Sequence, residues 1–203
     1  MFKNVSEKLE HIHEEAPQDP SMAQPLLPRQ LDGMGPGIAW FDFNQDGWED
    51  LFIGGGRGGK MGVYRNQQGQ GFVRQRAKAF ERPLAQDQTT LLAWRPYNQD
   101  MQLLMGQSSI ETPAPQASAF TSFSMVKGRS LSFPSPAGTS SGPMAMADWD
   151  GDGDVDLFVG GRVRPGHYPT PASSQWYQNQ DGQWVAVTMP EIEDLSLGMV
   201  SAA

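Results

Sequence analysis

Between residues 37 and 190 the apolar positions fall in short runs rather than in helical stripes. Ile38-Ala39-Trp40-Phe41, Leu51-Phe52-Ile53-Gly54, Leu103-Leu104-Met105-Gly106, Met144-Ala145-Met146-Ala147 and Leu157-Phe158-Val159-Gly160 each end at a glycine or beside an acidic or polar turn. Runs this short, bounded by turn residues, predict strands. Two pairs of runs enclose a nine-residue acidic segment. The first segment is Asp42-Phe43-Asn44-Gln45-Asp46-Gly47-Trp48-Glu49-Asp50. The second, 106 positions on, is Asp148-Trp149-Asp150-Gly151-Asp152-Gly153-Asp154-Val155-Asp156. Both read Asp-x-(Asp/Asn)-x-Asp-Gly-x-x-Asp.

Oxygen ligands at loop positions 1, 3, 5 and 9, with a backbone carbonyl at 7, suit a hard cation that takes six to eight oxygens, calcium before magnesium. Glycine at position 6 permits a turn that would strain most other residues. Asp, Asn and Gly also cluster in ordinary exposed turns, but duplication with the same spacing and the same apolar flanks argues against chance. Two carboxylates roughly 4 Å apart repel by about 1 to 4 kcal/mol at surface-like dielectrics. The second loop, with acids at positions 1, 3, 5 and 9, therefore needs a cation, and binding becomes part of folding. Asn44 makes the first loop the weaker of the two. An EF-hand does not fit, because position 12 is Ile53 or Val159 instead of Glu and the flanks read as strands.

A degenerate third copy lies between the loops. Leu92-Ala93-Trp94 matches Ile38-Ala39-Trp40 at an offset of 54, as Asn98-Gln99-Asp100 matches Asn44-Gln45-Asp46. Leu103-Leu104-Met105-Gly106 matches Leu51-Phe52-Ile53-Gly54 at an offset of 52, so this copy has a shorter loop. Pro96 takes its first ligand position, and the glycine and final acid are missing. Downstream, Val63-Tyr64-Arg65-Asn66 with Gly71-Phe72 corresponds to Trp176-Tyr177-Gln178-Asn179 with Gly182-Gln183-Trp184. A period of roughly 53 residues, each unit reading as four antiparallel strands, predicts an all-β chain of β-propeller blades. The expected division is a lead-in at 1–36, a blade with a metal loop at 37–85, a degenerate blade at 86–140, a second metal-loop blade at 141–190, and the start of a fourth at 191–203.

The stretch Gly37-Ile38-Ala39-Trp40-Phe41 through Leu51-Phe52-Ile53-Gly54-Gly55 resembles the FG-GAP/VCBS repeat of integrin-α-like propellers. It is most similar to bacterial proteins of the ASPIC/UnbV and cartilage-acidic-protein type. Phe2-Lys3-Asn4-Val5, Leu26-Leu27-Pro28 with Gly35-Pro36-Gly37, and Gly160-Gly161-Arg162-Val163-Arg164-Pro165-Gly166-His167-Tyr168-Pro169 add to the likeness. The resemblance implies two calcium ions. One would be held by Asp42, Asn44, Asp46, the Trp48 carbonyl and Asp50, the other by Asp148, Asp150, Asp152, the Asp154 carbonyl and Asp156. It also implies an extracellular, cell-surface or periplasmic setting.

Composition narrows the partners. A net charge of −8 disfavours nucleic acid and anionic membranes. There is no Cys, hence no disulfide, and no apolar run approaches the length of a membrane span. Residues 1–5 do not read as a secretory signal, since no apolar core follows. Three blades and a fraction do not close a ring, so the remaining blades are expected from a longer chain or another copy.

Several motifs are decoys. Gly54-Gly55-Gly56-Arg57-Gly58-Gly59-Lys60 fits G-x-x-x-x-G-K, yet Met61 follows where a P-loop needs Ser or Thr and then a helix. Gly138-Thr139-Ser140-Ser141-Gly142 fits G-x-S-x-G, but the prolines around it predict a loop rather than a nucleophile elbow. His11-Ile12-His13-Glu14-Glu15 offers imidazole and carboxylate of the kind that binds transition metals, but is expected instead to be exposed on a short amphipathic lead-in. Asn4-Val5-Ser6 is a formal glycosylation sequon. Glu81, Asp87, Glu111, Glu191, Glu193 and Asp194 are read as linker acids without a shared pattern. The expected function is a non-enzymatic, calcium-stabilised module for binding, adhesion or scaffolding, with an unidentified protein or carbohydrate ligand. The alternatives are a propeller with a carbohydrate-binding or hydrolytic site on its loop face, and a structural spacer within a larger secreted protein.

Overall fold

The structure, a computed structural model, describes residues 9–17, 31, 34–96, 100–111, 118–189 and 199–200. The start of the lead-in with its Phe2–Val5 and Leu26–Pro28 stretches, the sequon, Asn98 and Gln99, and nearly all of 191–203 with its acids lie outside these residues.

The chain forms three four-stranded antiparallel sheets, each a simple meander. The first comprises β1 (Ile38–Phe41), β2 (Asp50–Ile53), β3 (Gly62–Asn66) and β4 (Phe72–Arg74). The second comprises β5 (Asp87–Trp94), β6 (Gln102–Ser108), β7 (Ser118–Ser124) and β8 (Arg129–Pro134). The third comprises β9 (Ser140–Ala147), β10 (Asp156–Val163), β11 (Gln175–Gln180) and β12 (Gln183–Val187). Among the described residues the one helical element is a single 3₁₀ turn at Pro136–Gly138, between the second and third sheets. The three sheets span 38–74, 87–134 and 140–187. No sheet closes on itself.

The sheets are joined by two apolar layers. Ala39, Phe52 and Val63 of the first sheet meet Leu91, Leu103, Met105 and Phe123 of the second. The other face of the second sheet presents Leu104 and Phe120 to Met144, Leu157, Val159 and Tyr177 of the third. β5 lies against both β1 and β9, so the opening strands of the three sheets are neighbours. Each fully buried Phe or Leu in these layers contributes about 1.5 to 3 kcal/mol of transfer free energy. Alternation along each strand assigns successive residues to opposite layers.

That alternation corrects the expected alignment of the middle copy. Trp40 pairs with Leu51 and Ala39 with Phe52, and the third sheet repeats this register, Met146 with Leu157 and Ala145 with Phe158. In the second sheet Ala93 pairs with Leu103 and Trp94 with Gln102. Leu103 and Met105 face the first sheet, as Leu51 and Ile53 face the N-terminal side of theirs. Ala93 therefore occupies the position of Trp40, and Trp94 that of Phe41. The offset for β5 is 53, not 54. A one-residue slip exchanges the two faces of a strand, and Trp94 accordingly packs on Trp184 of the third sheet, ring centroids 5.1 Å apart.

One decoy resolves differently from expectation. Ser140 and Ser141 open strand β9 instead of lying in a loop; both are buried, and Ser140 Oγ accepts the Ser109 N–H at 3.1 Å. The glycine run at 54–59 precedes β3 and no helix. It is there for close approach: a Cβ on Gly59 would sit 2.0 Å from the Glu14 carbonyl oxygen, and one on Gly56 2.9 Å from the Glu15 Cβ. The N-terminal segment lies along this run, with the Ala16 N–H donating to the Arg57 carbonyl at 2.6 Å. His11 is correspondingly half-buried. Its Nδ1 lies 2.8 Å from the Tyr64 hydroxyl, and burial lowers its pKa, with the charges of His13 and Arg74 adding to the effect.

Candidate metal centre

Each acidic loop joins the first two strands of its sheet, β1 to β2 and β9 to β10. The loops are near replicas. The position-1 carboxylate accepts the backbone N–H of the position-6 glycine: Gly47 to Asp42 at 2.8 Å, Gly153 to Asp148 at 3.1 Å. The position-3 side chain accepts from position 5: Asp46 N–H to Asn44 at 3.1 Å, Asp152 N–H to Asp150 at 3.2 Å. The position-5 carboxylate accepts from position 7: Trp48 N–H to Asp46 at 3.0 Å, Asp154 N–H to Asp152 at 2.9 Å. Gly47 and Gly153 take the left-handed backbone expected at position 6, at φ 87° and 95°.

The final acids, Asp50 and Asp156, begin β2 and β10 and are 0% and 1% exposed. Each accepts two backbone N–H bonds. Asp50 takes Phe43 at 3.2 Å and Asn66 at 2.7 Å; Asp156 takes Trp149 at 3.3 Å and Asn179 at 2.9 Å. Burial raises the pKa of Asp50, and the charges of Asp46 and Asp42 push the same way against those two hydrogen bonds. Such a carboxylate is poised to gain from a cation.

In the second loop one carboxylate oxygen from each of Asp148, Asp150 and Asp156 lies within 4.8 Å of the others. Asp152 stands outside that trio. In the first loop Asn44 replaces the second member, and its amide donates to Asp46 at 2.9 Å. Asp100 of the middle hairpin faces Lys127 at 3.8 Å and Ser124 at 3.4 Å instead of other acids.

Three features were missed from sequence. Position 4 also needs a left-handed backbone, φ 62° at Gln45 and 78° at Gly151; the glycine of the second loop was the signal. Asn66 and Asn179 lock the loops from β3 and β11, and each side chain also accepts a glycine N–H, from Gly69 at 2.9 Å and Gly182 at 2.8 Å. The repeated Tyr-x-Asn carried that signal. Finally, Asp87 is not a linker acid, and Glu111, in the connection after β6, is not isolated. Asp87 opens β5, and both meet Glu15 in a second carboxylate group. Glu81 pairs with Lys60 at 3.4 Å and Arg74 at 3.7 Å.

Between the first two sheets lies a cleft of about 450 Å³, with Phe80, Met105 and Phe123 in its walls and Lys78 and Arg82 beside them. No described helix is long and apolar enough to cross a membrane. No protein-family model matches this chain, and no curated protein matches it.

Proposed function

We propose that the chain is a calcium-stabilised, non-catalytic repeat module of the FG-GAP/VCBS type, its three sheets acting as blades of a β-propeller. In this reading the module serves extracellular or periplasmic binding, adhesion or scaffolding. The observation that carries it is the replicated loop geometry. Two hairpins 106 residues apart repeat the same three side-chain-to-backbone bonds, and each anchors a buried final aspartate to the third strand of its sheet. A solvated turn has no reason to bury a carboxylate with its acidic neighbours; a cation held at positions 1, 3, 5, 7 and 9 supplies one. Calcium is preferred because the set is all oxygen and the loop is open to solvent on one side, which suits a large, flexible coordination shell.

The metal's role is structural, fixing the first hairpin of its blade. The stacking of β1, β5 and β9 supports a radial arrangement, with further blades from a longer chain or another copy. The net charge of −8 weighs against nucleic acid as partner. The cleft between the first two sheets favours a second reading, a ligand-binding face. Among the described residues its walls carry cations but no carboxylate, so the acid pair that glycoside hydrolysis requires is not supplied there. Calorimetric titration tests the leading reading. Two calcium ions per chain are expected, and Asp148→Asn removes one. A chain that binds no calcium overturns it.

A further inference from the structure

At the end of the sheets remote from the acidic loops, three carboxylates from distant parts of the chain converge. Glu15 comes from the N-terminal segment, Asp87 from the start of β5, and Glu111 from just beyond β6. One oxygen of each lies within 4.8 Å of the others. Arg57 supplies one guanidinium: its Nε donates to Glu111 Oε2 at 2.6 Å, and its backbone N–H donates to Asp87 Oδ1 at 2.7 Å. Three carboxylates against one guanidinium leave the group two negative charges in excess.

A second observation, independent of the clustering, points to a ligand. Asp87 is 4% exposed, and its Oδ2 is enclosed with no hydrogen-bond donor. An orphaned, buried carboxylate oxygen is among the least favourable groups a fold can hold. Beside it lies a cavity of about 10 Å³, walled by His13, Glu15, Gly55, Gly56 and Asp87 among others. That is about the room one water or one small ion occupies. His13 Nε2 stands 3.4 Å from Glu15 Oε2, so an imidazole borders the same space.

We propose that Glu15, Asp87 and Glu111, with His13 as a further donor, bind a small divalent cation of the Mn²⁺ or Mg²⁺ kind. Its charge cancels the excess of two. Metal–oxygen bonds of about 2.1 Å place octahedral ligand oxygens about 3 to 4 Å apart, so the trio has only to draw in slightly. Glu15, whose side chain is 29% exposed, is the member free to do so, whereas that of Glu111 is 5% exposed. The confined space and the mainly carboxylate donor set favour an ion smaller than calcium. The consequence is mechanical: the cation fastens the N-terminal segment to the first two sheets, reinforcing the contact that the glycines at 56 and 59 permit. The site is separate from the acidic loops and does not depend on them.

Electron paramagnetic resonance of free Mn²⁺, titrated against the full chain, counts the ions taken up. The test compares wild type with Asp87→Asn and Glu15→Gln, the second at an exposed position that does not threaten folding. Each variant is expected to bind one Mn²⁺ fewer per chain while its calcium-dependent melting shift stays at the wild-type value. A double variant, Asp42→Asn with Asp148→Asn, is expected to keep the ion that Asp87→Asn loses. Unchanged Mn²⁺ counts in both single variants overturn the proposal. So does an Asp87→Asn protein that melts higher without metal and binds as much Mn²⁺ as wild type, because the three carboxylates would then be sharing a proton.

Discussion

Replacing Asp156 by alanine separates what the fold gains from its hydrogen bonds from what it gains from a cation. The side chain is 1% exposed and accepts the N–H groups of Trp149 and Asn179. Alanine leaves both buried donors without that acceptor. Each stranded donor costs about 1 to 3 kcal/mol, while relief from burying a carboxylate returns part of it. The net loss in chelator is then about 2 to 4 kcal/mol, a fall of roughly 5 to 15 °C in melting temperature for a chain of this size. Calcium adds a second difference. At 100 times the dissociation constant an intact loop gains about 2.7 kcal/mol, and the variant gains nothing from that loop. Asp156→Asn retains one acceptor oxygen, so it loses less in chelator but forfeits the same calcium increment. Circular dichroism melts of the three proteins, with chelator and with saturating calcium, give the four differences required. An Asp156→Ala protein that melts with wild type in chelator, or that keeps the whole calcium increment, refutes the reasoning.

Asp50→Ala strands the same two kinds of donor, at Phe43 and Asn66. In chelator its loss should match that of Asp156→Ala, while in calcium Asp156→Ala should lose more, because the second loop carries four ligand-position acids to the first loop's three; calcium melts of the pair decide it. Burial, with the charges of Glu111 and Glu15 behind it, raises the Asp87 carboxyl from 3.8 to about 6, against the opposing Arg57 hydrogen bond. The native state therefore holds this proton to higher pH than the unfolded chain does. Stability from this group is present below pH about 4 and lost as pH rises through 6, a difference of about 3 kcal/mol. Metal-free melts from pH 4 to 8 should show this slope in wild type and a shallower one in Asp87→Asn. Gln45→Gly should raise metal-free stability by about 0.5 to 1 kcal/mol by relieving a left-handed non-glycine residue, and Gly151→Ala should lower it, as read by denaturant midpoint. Asn179→Ala keeps the backbone N–H to Asp156 but removes the side-chain acceptor of the Gly182 N–H; it should weaken calcium binding by loosening that anchor, which titration calorimetry reads directly.

Local features of this fold were legible in the sequence, and non-local ones were not. A strand, an acidic loop and a returning strand lie within about twenty residues, so their pattern alone fixed the hairpins at Asp42–Asp50 and Asp148–Asp156. The middle copy misled because Trp94 looked like Trp40. Only its pairing with Gln102, and its ring against Trp184, reveal that it points to the other layer. Position 4 of the loop was missed because Gln45 hides a backbone demand that Gly151 displays. Asn66 and Asn179 act from a later strand, so nothing near the loops announced them. The meeting of Glu15, Asp87 and Glu111 depends on how the N-terminal segment lies over the glycine run, and no spacing rule brings residues so far apart together.

The most direct test of the central claim is a calcium titration of the full chain followed by melting in chelator. Two calcium ions per chain are expected from the acidic loops, with a melting temperature that falls in chelator and recovers with calcium, and poor replacement by magnesium at those loops. A melting curve unmoved by chelator, with no heat of calcium binding, would mean that Asp42–Asp50 and Asp148–Asp156 are solvated turns.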